Sequence, residues 1–159
     1  MVTFSDSDWA SDVSTRRSTG GHVSILAGGP ISWSSRAQSL VAKSTAEAEF
    51  VAMSEATADV KWLRMLLQDL KLPQTEPTPL YEDNQAAIAL ARHARFGTHA
   101  RTKHFDVKLH FVHDYLRAGY IDIIYCPTDK QLADAFTKPL PRPGFQTFIK
   151  GLGLKDQKG

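Results

Sequence analysis

Four short stretches set a carboxylate among residues that otherwise read as interior. Asp6 follows Val2-Thr3-Phe4 through Ser5, and Glu49 sits between Ala48 and Phe50-Val51. Asp83 closes the run Thr78 to Glu82, and Asp134 lies within Leu132-Ala133-Asp134-Ala135-Phe136. An acid on a buried face is costly without a partner. Convergent carboxylate oxygens offset that cost when they ligate a hard divalent cation such as Mg2+ or Mn2+. Each acid also has a plainer reading. Asp83 precedes a helix and suits an N-cap. Asp6 lies in Ser5-Asp6-Ser7-Asp8, an exposed strand end in which Asp8, two residues on, shares its face. Asp134 suits the outer side of an amphipathic helix. No single acid is decisive; their order, and the elements that carry them, are.

The first third reads as three strands, Val2 to Asp6, His22 to Leu26 and Ile31 to Ser34, with Ala27-Gly28-Gly29-Pro30 as the turn between the last two. Short connections of this kind favour antiparallel neighbours. From Ser44 the period changes. Ser44 with Glu47 three residues later is a capping box, and Phe50, Val51, Met53, Ala56, Val60, Leu63, Leu67 and Leu70 recur at helical spacing. The pattern predicts a helix from Ser44 to Lys71, broken near Thr57-Ala58-Asp59. Capping gives Glu47 local work, whereas Glu49, about 200° further round the axis, faces elsewhere. Glu55 is expected to face solvent.

Pro73, Pro77 and Pro79 then enforce a loop. Thr78 to Glu82 is a fourth strand, Asn84 to Arg92 a short helix, Lys103 to Arg117 a longer one and Tyr120 to Tyr125 a fifth strand. Asp129 to Thr137 reads as a short helix, and Phe145 to Leu154 as a docked tail. Strands four and five arrive through helices and should lie parallel to strand one. The fold class is therefore α/β: a mixed five-stranded sheet, three antiparallel strands then two parallel, with helices on both faces. It is read as one domain over residues 1–159, with a core over 2–140 and a tail over 141–159. Neighbouring carboxyl ends of strands one and four would bring Asp6 and Asp83 together.

A chain of 159 residues is long enough for one domain with a sizeable core. No stretch approaches the roughly 20 apolar residues that span a bilayer. Cys126 is the single cysteine, which excludes an internal disulfide and fits a reducing compartment. The net charge of +2 suits a polyanionic partner without requiring one. Positive charge is concentrated in Arg92, Arg95, Arg101, Lys103 and Lys108, joined by His93, His99 and His104 and opposed only by Asp106. That density should create a local positive field able to hold phosphates. The chain opens directly on strand-like sequence, as a piece of a longer polypeptide would.

Seven blocks occur in order: Ser5-Asp6-Ser7-Asp8-Trp9-Ala10, Thr15-Arg16-Arg17-Ser18-Thr19-Gly20, Ile31-Ser32-Trp33-Ser34-Ser35, Ser44-Thr45-Ala46-Glu47-Ala48-Glu49-Phe50, Asp83-Asn84-Gln85-Ala86-Ala87, Arg101-Thr102-Lys103-His104, and Gln131 through Leu140. Together, from Val2 to Leu154, they resemble the ribonuclease H domain of copia-type long-terminal-repeat retrotransposon Pol polyproteins. The resemblance implies a ribonuclease H-like fold and four catalytic, metal-ligating acids at Asp6, Glu49, Asp83 and Asp134. It further implies two Mg2+ ions, replaceable by Mn2+, with Asp6 bridging them, and hydrolysis of the RNA strand of an RNA–DNA hybrid. Ser7, Asn84 and Gln85 are then candidates for contacts along the RNA strand, and Arg16, Arg17, Arg101 and Lys103 for phosphates.

The implied partners are the hybrid and the reverse transcriptase domain of the same polyprotein, with no membrane. The isolated domain would be a monomer, and its setting the cytoplasmic, virus-like particle of the element. One departure stands out: the loop Cys126-Pro127-Thr128-Asp129-Lys130 lacks the histidine many ribonucleases H carry there, which bears on turnover. The alternative reading is a catalytically weak or domesticated hybrid-binding domain. An integrase is disfavoured because the acids run Asp, Glu, Asp, Asp.

Overall fold

A computed structural model describes residues 1–12, 14–93 and 103–155. Strands β1 (Val2–Asp8), β2 (Thr19–Leu26) and β3 (Gly29–Ala37) form an antiparallel meander. Helix α1 (Thr45–Asp69) follows, then β4 (Thr78–Glu82), α2 (Gln85–Arg92), α3 (Lys103–Arg117), β5 (Ile121–Tyr125), two 3-10 turns (Thr128–Lys130 and Leu132–Phe136) and α4 (Arg142–Gly151). The sheet order is β3-β2-β1-β4-β5, with β4 parallel to β1 and β5 parallel to β4. This is the mixed sheet that the element order predicts. Among the described residues, no helix is long and apolar enough to cross a membrane.

The meander strands run longer than the hydrophobic pattern shows. β1 continues to Asp8 and β2 starts at Thr19, because Asp6, Ser7 and Asp8 pair with Gly21, Gly20 and Thr19. Polar and glycine residues hide this pairing from a pattern based on apolar alternation. Between β2 and β3 the turn is two residues, Ala27 and Gly28, both at positive φ (53° and 83°), as in a type I′ hairpin.

Ser44 caps α1 by accepting the Glu47 N–H at 3.2 Å. The Glu47 carboxylate closes back on the Lys43 N–H at 2.8 Å, one residue earlier than a standard capping box. The expected break at Thr57-Ala58-Asp59 does not occur. Thr57 donates its hydroxyl to Met53 O inside the helix, and Asp59 takes hydrogen bonds from Ser24 and Ser32 of the sheet. Those polar residues serve packing against the strands. Glu55 is half-buried and lies 3.9 Å from Lys108 of α3, so it does not simply face solvent.

Strand pleat divides the molecule into two sides. Thr3, Ser5 and Ser7 of β1 point toward α1, and the core lies on that side. Phe50, Met53 and Val60 of α1 pack there with Leu80, Ile121 and Ile123 of the strands and Phe105, Leu109 and Val112 of α3. Phe4 and Asp6 point to the opposite side, where Phe4 stacks on Tyr81 at 4.8 Å and Asp6 meets the second 3-10 turn. The helix expected over Asp129 to Thr137 is two 3-10 turns. Gln131 interrupts it, because its amide donates to Ser5 O at 2.9 Å and its carbonyl oxygen accepts the Ala133 N–H. The tail forms α4, whose Phe148 packs edge-on against Phe136.

Gly21 decides how closely that turn approaches β1. A Cβ there would lie 2.7 Å from Phe136 Cβ and 2.9 Å from Thr137 Cγ2. Only glycine lets Thr137 come over Asp6, the residue paired with Gly21. Gly21→Ala should cost roughly 1–3 kcal/mol by overpacking, because the turn bearing Asp134 is pushed outward. Thermal melting checks this; full stability would show that the turn is not held against β2.

Candidate active site

β1 and β4 run parallel with Phe4 opposite Tyr81, so Asp6 and Asp83 emerge on the same side at their carboxyl ends. The second 3-10 turn brings Asp134 over them. Carboxylate oxygens of Asp6, Asp83 and Asp134 lie within 4.8 Å of one another. From the α1 side, Glu49 forms a second such group with Glu82 and Asp83. Asp83, just past the end of β4, belongs to both. The four acids singled out in the sequence are therefore brought together. Asp83 is the member the two groups share.

Glu82 was missed. It is fully buried, accepts Ser5 Oγ at 3.0 Å and the Asn84 N–H at 3.1 Å, and lines the site from behind. The available signal was period two: Thr78, Leu80 and Glu82 share the buried face of β4. An acid at the third of those positions is a buried acid, not a strand end.

The electrostatics are those of carboxylates held out of water with too few cations. Burial pushes Glu49 up to about 10, with Glu82, Asp6 and Asp83 adding repulsion. Burial lifts Asp6 to about 6; the Thr137 hydroxyl bond opposes the rise and Asp134 reinforces it. Glu82 is pushed well above the carboxylate range, first by burial. Lys138 Nζ sits 2.9 Å from Asp134. Burial works against its charge, but Asp134, Asp6 and Asp83 outweigh that and raise its pKa.

Glu49 Oε2 is buried with no hydrogen-bond partner among the described residues. Ser7 Oγ faces Glu49 closely enough to moderate its shift, yet lies outside hydrogen-bond geometry. An orphaned buried carboxylate oxygen beside four other acids fits a hard divalent cation, since all the donors are oxygen.

The other sequence candidates fall variously. Asp83 is not the helix cap: Asn84 is, its Oδ1 accepting the N–H groups of Ala86 and Ala87 at 3.0 Å each. Gln85 is exposed beside it and Asp8 half-buried. Arg16 and Arg17 lie on an exposed turn around Asp12. Lys103 is exposed at the start of α3, and Arg101, like Arg95 and His99, lies outside the described residues. Two members of the basic segment are engaged elsewhere, Arg92 on Ile123 O at 2.6 Å and Lys108 near Glu55. In the histidine-free loop, Thr128 donates its hydroxyl to Asp83 at 2.6 Å.

No family model matches the chain. It is 36% identical over 95% of its length to the retrovirus-related Pol polyprotein from transposon RE1 of Arabidopsis thaliana, and 38% identical over 95% to that from transposon TNT 1-94 of Nicotiana tabacum. It is 32% identical over 79% to the transposon Ty1-JR2 Gag-Pol polyprotein of Saccharomyces cerevisiae. The chain spans 10%, 11% and 7% of these relatives respectively, so it matches one segment of much longer proteins.

Among solved structures it is similar to LC11-RNase H1 in complex with RNA/DNA hybrid, with a TM-score of 0.60 and 16% identity over 86% of this chain and 92% of that one. The N-terminal RNase H domain of rv2228c from Mycobacterium tuberculosis matches with a TM-score of 0.57 and 15% identity over 94% of both chains. The chain is thus similar in sequence to one segment of retrovirus-related transposon Pol polyproteins, and it has the ribonuclease H-like fold.

Proposed function

We propose that the chain is a ribonuclease H: a divalent-metal-dependent endonuclease that hydrolyses the RNA strand of an RNA–DNA hybrid during reverse transcription of a retrotransposon. The observation that carries the reading is the meeting of Asp6, Glu49, Asp83 and Asp134 at the ends of β1 and β4, with one Glu49 oxygen buried and unpaired. Asp6, Glu49, Asp83 and Asp134 would hold the cations. Mg2+, or Mn2+ in its place, would supply Lewis acidity that activates water and neutralises charge on a phosphodiester.

The chain's own residues orient this chemistry. Thr137 fixes Asp6, Thr128 fixes Asp83 and Lys138 holds Asp134. Gln85, exposed next to the α2 cap, would contact the RNA strand through its sugar edge. Arg16, Arg17, Arg101 and Lys103 are the proposed phosphate contacts, positioning the duplex without reading sequence. The working context is a Pol polyprotein with its reverse transcriptase, inside the cytoplasmic particle of the element, the isolated segment being monomeric.

Asp83→Asn removes ligand charge and keeps volume, so hybrid cleavage should fall by more than about 100-fold, the upper range for merely supporting residues, with the fold intact by circular dichroism. Glu49→Gln should do the same, whereas Glu47→Gln should change little because glutamine also closes the cap. An essential Glu47 beside a dispensable Glu49 would sink the assignment.

Stability should also depend on pH in a defined direction. Folding raises Glu49 from 4.5 to about 10 and Asp6 from 3.8 to about 6. The folded state then binds more protons than the unfolded state from about pH 4 upward, and stability falls as pH rises. In metal-free buffer the melting temperature should drop between pH 5 and pH 8. Mg2+ should recover more of it at pH 8, where ligand oxygens are free of protons. Glu49→Gln should flatten the pH dependence. A metal-free melting temperature that climbs over this range would contradict the site electrostatics.

A further inference from the structure

We propose that Glu82 is a positioning residue of this site, a buried strut whose two carboxyl oxygens tie the strand end carrying Asp6 to the turn carrying Asp83. The proposal rests on the reading of the acid cluster as a divalent-cation site, and assigns a job to an acid which that reading leaves idle.

The geometry is specific. Glu82 exposes no surface. Its Oε2 accepts Ser5 Oγ at 3.0 Å, and Ser5 is the residue before Asp6. Its Oε1 accepts the Asn84 N–H at 3.1 Å, and Asn84 is the residue after Asp83 and the cap of α2. Ser5 O in turn accepts the Gln131 amide at 2.9 Å, and Gln131 caps the turn that bears Asp134. One side chain therefore stands at the centre of a hydrogen-bonded chain reaching the backbone beside Asp6, Asp83 and Asp134. Because strand side chains alternate, Glu82 and Asp83 emerge on opposite faces. Glu82 supports from the α1 side what Asp83 presents on the other, with Glu49 alongside.

A leucine here would fill the volume and match its buried neighbours Thr78 and Leu80 less oddly, but it would leave the Ser5 hydroxyl and the Asn84 N–H without their acceptor. Partners that orient ligands in this way typically change metal affinity by about 10–100-fold when removed.

The test measures Mn2+ binding to the whole chain by electron paramagnetic resonance titration without nucleic acid, alongside circular dichroism and melting temperature. Glu82→Leu should remain folded and bind Mn2+ at least about tenfold more weakly. Glu82→Gln should restore most of that affinity, because its amide oxygen still accepts the Asn84 N–H and its NH2 group turns the Ser5 hydroxyl into an acceptor. Ser5→Ala should weaken binding severalfold, and should add little on top of Glu82→Leu if the two act through one contact.

Unaltered Mn2+ affinity in Glu82→Leu overturns the proposal, as does a Glu82→Gln variant that loses an ion as fully as Glu82→Leu does, since that would make Glu82 a direct ligand. Should Glu82→Leu fail to fold, Ser5→Ala decides: wild-type affinity there overturns the strut. Because no hybrid is present, an unsubstituted chain that binds Mn2+ but leaves hybrid intact would refute the proposed function and leave this inference standing.

Discussion

Mutual repulsion among carboxylates withdrawn from water governs the architecture around the site. Asp6, Glu49 and Glu82 are buried, Asp134 is nearly so, and Asp83 stands at the edge where two three-acid groups meet. Among the described residues, Lys138 is the one cation in hydrogen-bond contact with any of them. Burial and mutual repulsion favour the protonated forms, which is the direction of the shifts at Glu49 and Asp6. A fold tolerates this arrangement most readily when divalent charge completes it, and the surrounding hydroxyls hold the carboxylates in place.

Strand register and pleat do the placing. Parallel pairing of β1 with β4 sets Ser5 beside Glu82 on the α1 side and Asp6 beside Asp83 on the other. A one-residue slip would exchange the two sets and bury the wrong acids. The missing side chain at Gly21 lets the last turn close down, and Gln131 pins that turn to Ser5 O. The site is thus assembled from the meander, the long helix, the crossover strand and the C-terminal turn, none of which holds more than two of the acids.

Much of this was legible in the residues, for identifiable reasons. The Ser44–Glu47 capping pair marked the start of α1 and occupied Glu47 locally, and the family resemblance matched Glu49. The strand order followed from short connections early and helical crossovers late. What escaped notice depended on tertiary pairing. Glu82 looked like the polar end of a strand, because the parallel partner that buries it lies about 80 residues away. Asp83 and Asn84 are both good caps, and only the packed structure assigns the cap to Asn84. The helix expected near Asp134 broke into 3-10 turns because Gln131 bonds to a strand at the opposite end of the chain.

The proposed work of this acid cluster is metal-dependent cleavage of one strand in a mixed duplex. Its most direct test is to present the purified chain with end-labelled RNA–DNA hybrid, double-stranded RNA and double-stranded DNA, each with Mn2+ or with chelator. The expected result is cleavage of the RNA strand of the hybrid alone, and only with the ion. Folded chain that leaves the hybrid intact in Mn2+, or that cuts it equally well in chelator, would contradict it.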